Sequence, residues 1–434
     1  MTDPANARPW RVQPLAQEHS VVCESSDPAR IFCYSPGLCR LSSGRLLATM
    51  DFGGPGVTGL PGPTGQRYGG PHQGRFFTSD NGGENWQERA TRAIMHHRPF
   101  VAGKSVYVIG HMNDLCICRS DDDGRTWSDP VPLTDGEDWH QAPCNVWYAN
   151  GCVYLVMERR PPLGITAWNV AGIAPVLMRG RLDADLTKRE NWTFADELTF
   201  LDAVDQEQLE WFGTPFFPCP LPGGANADGV KGRHCAPVGW LETNVVQFTD
   251  PTQYWCDPSG KTFHLWMRAN TGGTGLACVM KAVEQGDAPG TGPIRTMLET
   301  VPSGRHALFM PCPGGQMKFH IVHDEQDKLF WLLSTQARDS MTKAACLPDD
   351  RFNLPNNERR RLQLHVSRNC IDWCFAGLVA VGEVERASRH YASMVIDGDD
   401  LAILSRSGDE RASCPHNGNL ITFHRVRDFR GLVY

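Results

Sequence analysis

Nothing in this 434-residue sequence approaches an apolar run of about 18 residues, the length a membrane-spanning helix needs. The opening stretch, Met1-Thr2-Asp3-Pro4-Ala5-Asn6-Ala7-Arg8-Pro9-Trp10, has no apolar core of the export-signal kind, which predicts a cytoplasmic protein. No long basic run occurs and the formal net charge is −7, which argues against nucleic-acid binding. No Cys/His grouping has zinc spacing, and no segment has the EF-hand pattern for calcium, so neither metal nor cofactor is expected. The sequence is not short of cysteine. With no export signal and with Cys116, Cys118, Cys152 and Cys278 inside apolar runs, most of the 16 read as small reduced core groups.

What is abundant is turn-forming and aromatic: 43 Gly, 31 Pro and 13 Trp, which suits many short strands. One stretch recurs. Ser120-Asp121-Asp122-Asp123-Gly124-Arg125-Thr126-Trp127 repeats Ser79-Asp80-Asn81-Gly82-Gly83-Glu84-Asn85-Trp86, 41 residues upstream. Each copy follows a short apolar run, and each has hairpin-turn chemistry. Ser and Asp/Asn side chains bond nearby backbone, Gly takes the positive-φ position, and Trp folds back to pack. A third copy, Ser367-Arg368-Asn369-Cys370-Ile371-Asp372-Trp373, is one residue short and lacks the Gly. Asn191-Trp192 reads as a further decayed copy. Spacing of this order marks a repeated β unit.

These repeats resemble the Asp boxes (BNR repeats) of the sialidase-like β-propellers, whose boxes are structural and lie away from the active face. The order of strand and turn signals between them predicts an all-β, six-bladed β-propeller of four-stranded antiparallel blades. Blades begin near Tyr34, His97, His140, Leu241, Gln316 and Arg389. Residues 1–434 form a single domain, with insertions at 202–237 and 338–358 over one face. Seven blades result if the first insertion hides one. The sixth blade lacks an outer strand, and a strand near 19–23 is expected to supply it and close the ring.

In such a ring the first strands start, and the second strands end, at the same mouth. Those positions carry Tyr34, His97, Arg98, His140, Glu242, Lys318, Arg389, His390 and Tyr391, together with Asp51, Glu158, Arg159, Arg268 and Arg406. Cations and imidazoles gathered there suit an anionic ligand, such as a carboxylated sugar held by Arg forks. Three segments extend the resemblance to sialidases. Leu241-Glu242-Thr243-Asn244-Val245-Val246, with Trp266-Met267-Arg268, is similar to the family segment bearing a catalytic Glu and a carboxylate-binding Arg. Arg359, eight residues before Ser367, matches a second Arg of that clamp. Tyr391-Ala392-Ser393-Met394-Val395-Ile396-Asp397-Gly398 is similar to the segment bearing the Tyr nucleophile.

The resemblance implies Tyr391 as nucleophile, Glu242 as its base, and Arg268 and Arg359 as clamp. A Tyr hydroxyl, with pKa about 10, needs such a base, and being neutral it can approach an anionic centre without repulsion. Two departures stand out. Tyr34-Ser35-Pro36 replaces the family's Arg-Ile-Pro, removing its first clamp Arg, and the loop 51–74 offers Asp51 as acid without the expected context. The histidines, His97 and His390 among them, suggest instead proton transfer by imidazole. The expectation is an exo-acting, sialidase-like glycosidase on an anionic oligosaccharide, with His140, Arg159, Arg98, Lys318, Arg389 and Arg406 as further substrate contacts. A lyase or rhamnosidase-type enzyme on uronic-acid glycans, or a non-catalytic glycan-binding propeller, are the rival readings.

Overall fold

The computed structural model describes residues 12–165, 169–204, 238–270, 275–338, 342, 346 and 358–433. The insertion expected at 202–237 lies almost wholly outside them, as does most of that at 338–358. The described chain forms six antiparallel sheets of four to six strands. They are the six blades of a β-propeller, as the strand pattern predicts.

Blade 1 is built from Phe32–Arg40, Leu46–Gly53, Gly70–Ser79 and Gln87–Arg92, with a short added strand at Gly65–Arg67. Blade 2 follows with Met95–Ala102, Ser105–His111, Leu115–Ser120 and Val131–Pro132. The innermost strand of blade 3 is broken, Trp139–His140 and Trp147–Ala149 both pairing with Cys152–Arg159. Trp240–Val246 opens blade 4, His320–Asp324 blade 5 and Arg389–Asp397 blade 6. The outer strand of blade 6 is Ser20–Glu24, antiparallel to Leu420–Val426, so the two chain ends close the ring.

Second strands are sandwiched between neighbouring blades and read accordingly. Leu46–Gly53 and Ser105–His111 are buried at every residue, without the polar alternation of a half-exposed strand. Trp240, Trp266 and Trp331 fill the space between sheets. Every cysteine among the described residues is a free thiol, and most are buried, though Cys346 and Cys374 are exposed.

The repeated turns share one hydrogen-bond pattern. In the better copy Gly124 N donates to Ser120 Oγ (2.9 Å), Thr126 N to Asp122 Oδ1 (2.8 Å), and Trp127 Nε1 to the Gly124 carbonyl (3.1 Å). Gly83, Asn85 and Trp86 make the same three bonds at 2.9, 3.0 and 3.0 Å. In the shortened copy Cys370 takes the positive-φ position (59°) that Gly holds elsewhere. These turns stand on the face away from the mouth: Asp123 touches Ser43 and Arg45, at the turn between the first two strands of blade 1.

Candidate active site

One backbone device recurs at the mouth. Four innermost strands slip register near their start: between Tyr34 and Gly37, Met95 and Arg98, Leu241 and Asn244, and His390 and Ser393. Inside each slip one residue has positive φ: Ser35 (44°), His96 (55°), Glu242 (58°) and Tyr391 (49°). A bulge of this kind turns one side chain away from the sheet alternation, and each left-handed non-Gly residue costs about 1–3 kcal/mol. Two of the four strained positions are the Glu and the Tyr singled out from sequence.

Those two side chains meet. Arg268 Nη1, at the end of blade 4's second strand, donates to Tyr391 Oη at 2.9 Å and lies 3.2 Å from Glu242 Oε2. The phenol is also hydrogen-bonded to Glu242, and burial together with that carboxylate pushes its pKa above the usual value. At rest it is therefore a protonated hydroxyl with a base beside it. Burial alone would lower the Arg268 pKa, but Tyr391 and Glu242 raise it above normal, so its charge is fixed.

Two more guanidiniums flank the ring, with Arg359 Cζ 5.3 Å and Arg406 Cζ 5.2 Å from its centroid. Arg406 also lies 4.1 Å from the Tyr34 centroid. The Tyr34 hydroxyl donates to Asn417 Oδ1 at 2.7 Å. So where the first clamp Arg is missing, the aromatic ring in its place carries an Arg from blade 6. His390 Nδ1 takes a hydrogen bond from Arg359 Nη1 (2.9 Å). Burial, then Arg359 and Arg406, hold that imidazole well below its ordinary pKa. It is a neutral acceptor that fixes Arg359, in place of the proton shuttle expected from its type.

Asp51 ends blade 1's second strand, paired with Tyr34 and Gly74. Its Oδ1 accepts from His96 N (3.0 Å), while Oδ2 is buried with no partner. Burial pushes the carboxyl up to about 7 against the opposing pull of His96 N–H and Arg406. Beside it stands an imidazole group. His96 Nδ1 is 2.9 Å from His111 Nε2, and His140 stacks edge-on to His96 (5.2 Å) while bonding Glu158 Oε2 at 2.8 Å. Tyr68, on the loop 51–74, leans over His72 and His140. Burial holds His72, His96 and His111 below the usual imidazole range, so they form a neutral, hydrogen-bonding wall. Among the described residues no group of His, Cys, Asp and Glu is arranged to hold a metal ion.

Other expected contacts sit elsewhere. His97 is turned into the packing of blades 1 and 2, edge-on to Phe76 (5.2 Å), and its neighbour His96 holds the mouth position. Arg389 bonds the carbonyls of Ser388 and Gly408. Arg159 bonds the Asp138 carbonyl at 3.1 Å and lies 3.7 Å from Glu137. Lys318 and Arg98 lie behind the tyrosine, on carbonyls of Ala392 (2.6 Å) and Val156 (2.7 Å). His96 and Tyr68 escaped the sequence reading, and His416, one of the histidines counted there, lies against Arg406.

No family model matches the sequence, and no curated protein matches it. Solved structures do. A Trypanosoma rangeli sialidase in complex with sialic acid is similar at TM-score 0.53 and 12% identity, over 96% of this chain and 60% of that one. An intramolecular trans-sialidase from Ruminococcus gnavus is similar at 0.53 and 10%, over 96% and 98%. An α-L-arabinanase of Penicillium chrysogenum, complexed with arabinobiose, is similar at 0.50 and 11%, over 97% and 100%. At such identities the likeness is one of fold, that of a six-bladed β-propeller.

Proposed function

We propose that this sialidase-like propeller is an exo-acting glycoside hydrolase that removes a terminal acidic sugar from a glycan or oligosaccharide. One observation carries the reading: a buried Tyr hydroxyl lies in reach of both a Glu and an Arg, between two further arginines. That constellation has a chemical use. Tyr391 Oη attacks the anomeric carbon as its proton passes to Glu242, and the bond to the leaving oxygen breaks as Asp51 protonates it. Water, deprotonated by Asp51, then releases the sugar, and Glu242 returns the proton to the tyrosine. Arg268, Arg359 and Arg406 supply charge for a sugar carboxylate, each charge-assisted bond contributing about 1.5–3 kcal/mol. Solved relatives of the same fold include sialidases, which supports the acidic sugar, and an arabinanase, which makes a neutral pentose the alternative substrate.

A panel of aryl glycosides tests this, with sialic acid, glucuronic acid and arabinofuranose as the sugars. The expected result is hydrolysis of an acidic member, with kcat reduced about 10²–10⁴-fold by Tyr391→Phe or Glu242→Gln. Arg406→Met should raise KM on that substrate about 10–100-fold, the loss of one charge-assisted bond. An unsaturated uronate product would instead show elimination. Turnover of any substrate that neither Tyr391→Phe nor Glu242→Gln alters would place the chemistry elsewhere.

A further inference from the structure

Behind the tyrosine, on the axis of the ring, a second concentration of positive charge is buried. Lys318 and Arg98 are each 1% exposed. The hydrogen bonds of Lys318 run to the Tyr391 and Ala392 carbonyls and the Ser393 hydroxyl, those of Arg98 to the Val156 and Ala142 carbonyls. Neither is in an ion pair among the described residues. The carboxylates whose field reaches them are committed elsewhere, Glu158 to His140 and Glu242 to Arg268. Next to them His320 Nδ1 and Arg98 Nε are buried without a hydrogen-bond partner. Burial, then the charges of Lys318 and Arg98, hold the His320 imidazole well below its ordinary pKa, so it adds a polar edge and no charge.

Arg98 and His320 both line one cavity of about 540 Å³. Its other walls are the far halves of the innermost strands, with Phe100, Val322 and Ile396, and it reaches Ser42 and Gly103 at the inter-strand turns. It therefore opens on the face opposite Tyr391. Buried charge without a partner is costly, and water alone would leave both charges uncompensated.

We infer that this axial cavity binds a small oxyanion of the phosphate class, seated on Arg98 and His320 with the Lys318 charge behind it. A guanidinium and an imidazole lining the same cavity are suitable donors for tetrahedral oxygens. The inference is independent of the reaction at the mouth. It would place an effector one strand behind the nucleophile, because Lys318 holds the carbonyl of Ala392, the residue after Tyr391.

Inorganic phosphate, titrated into the full chain by calorimetry and followed by thermal melting, is the test. Phosphate should stabilise the wild type. That binding should survive Arg406→Met, at the mouth, and weaken at least tenfold in Arg98→Met. If Arg98→Met does not fold, Ser42→Trp decides, since it fills the cavity entrance from an exposed turn and leaves the buried charges in place. No phosphate-dependent stabilisation of the wild type would overturn the site. So would binding lost in Arg406→Met but unchanged in Arg98→Met or Ser42→Trp, because the anion would then lie at the mouth.

Discussion

Asp51 shows how one buried carboxyl can hold two roles. Burial lifts its pKa to about 7, so near neutrality it exists both as the acid and as the base that a two-step displacement needs. The sign for stability follows directly. An unfolded Asp titrates near 3.9, so the native state keeps its proton to higher pH, and stability falls as pH rises from about 4 to about 7. Asp51→Asn should remove that contribution, so that its Tm gains on wild type as pH rises across the interval and stands higher above pH 7, while kcat drops. The gain should be on the order of a few kcal/mol, because the unpartnered Oδ2 no longer buries a charge. Thermal melts at a series of pH values check it. A Tm difference between Asp51→Asn and wild type that stays constant over the same range would mean that Asp51 ionises without penalty.

At the scale of the strand, the bulge decides what sequence can show. Period-2 alternation places second-strand ends correctly, and Asp51, Arg268 and Arg406 were legible because no irregularity precedes them. On first strands the slip moves the mouth-facing position by one residue. That is why His97 looked like the mouth residue of blade 2 while His96 occupies it, and why Tyr391 and Glu242, though gathered among the mouth positions, took their roles from a family resemblance. The far-face turns were legible in full, since Ser, Asp and Gly at fixed offsets specify a local conformation. Their packing was not. A Cβ on Gly83 would meet the Phe423 ring at 2.1 Å with φ at +95°, so that turn is locked against the last blade. Gly83→Ala should therefore destabilise by about 2–4 kcal/mol, seen as a lower denaturant midpoint, with activity per folded molecule unchanged. A loss of less than about 0.5 kcal/mol would show that turn and ring part freely.

For the whole molecule, closure is what brings Glu242, Arg268, Arg359 and Tyr391 into contact from three blades. The closing strand Ser20–Glu24 covers the edge of Leu420–Val426, and Ser20 Oγ also donates to Gly83 of blade 1 (2.5 Å). Deleting residues 1–24 should expose that edge, and size-exclusion chromatography should show larger assemblies than the full-length chain forms. A deletion variant with the elution volume of a folded chain of unchanged assembly and an unchanged melt would make the strand dispensable. Charge at the mouth was legible only as a collection of types. The three arginines around the Tyr391 ring became a set once the ring closed, with Arg406 reaching in from the second strand of blade 6.

The most direct test of the central claim is covalent. A fluorinated, activated glycoside of whichever sugar the panel identifies should accumulate as a glycosyl-enzyme, because fluorine slows both its formation and its release while the activated leaving group speeds formation alone. Peptide mass spectrometry should then find the sugar on Tyr391, and no adduct in Tyr391→Phe. Labelling of a different residue, or steady turnover with Tyr391 unmodified throughout, would contradict the account.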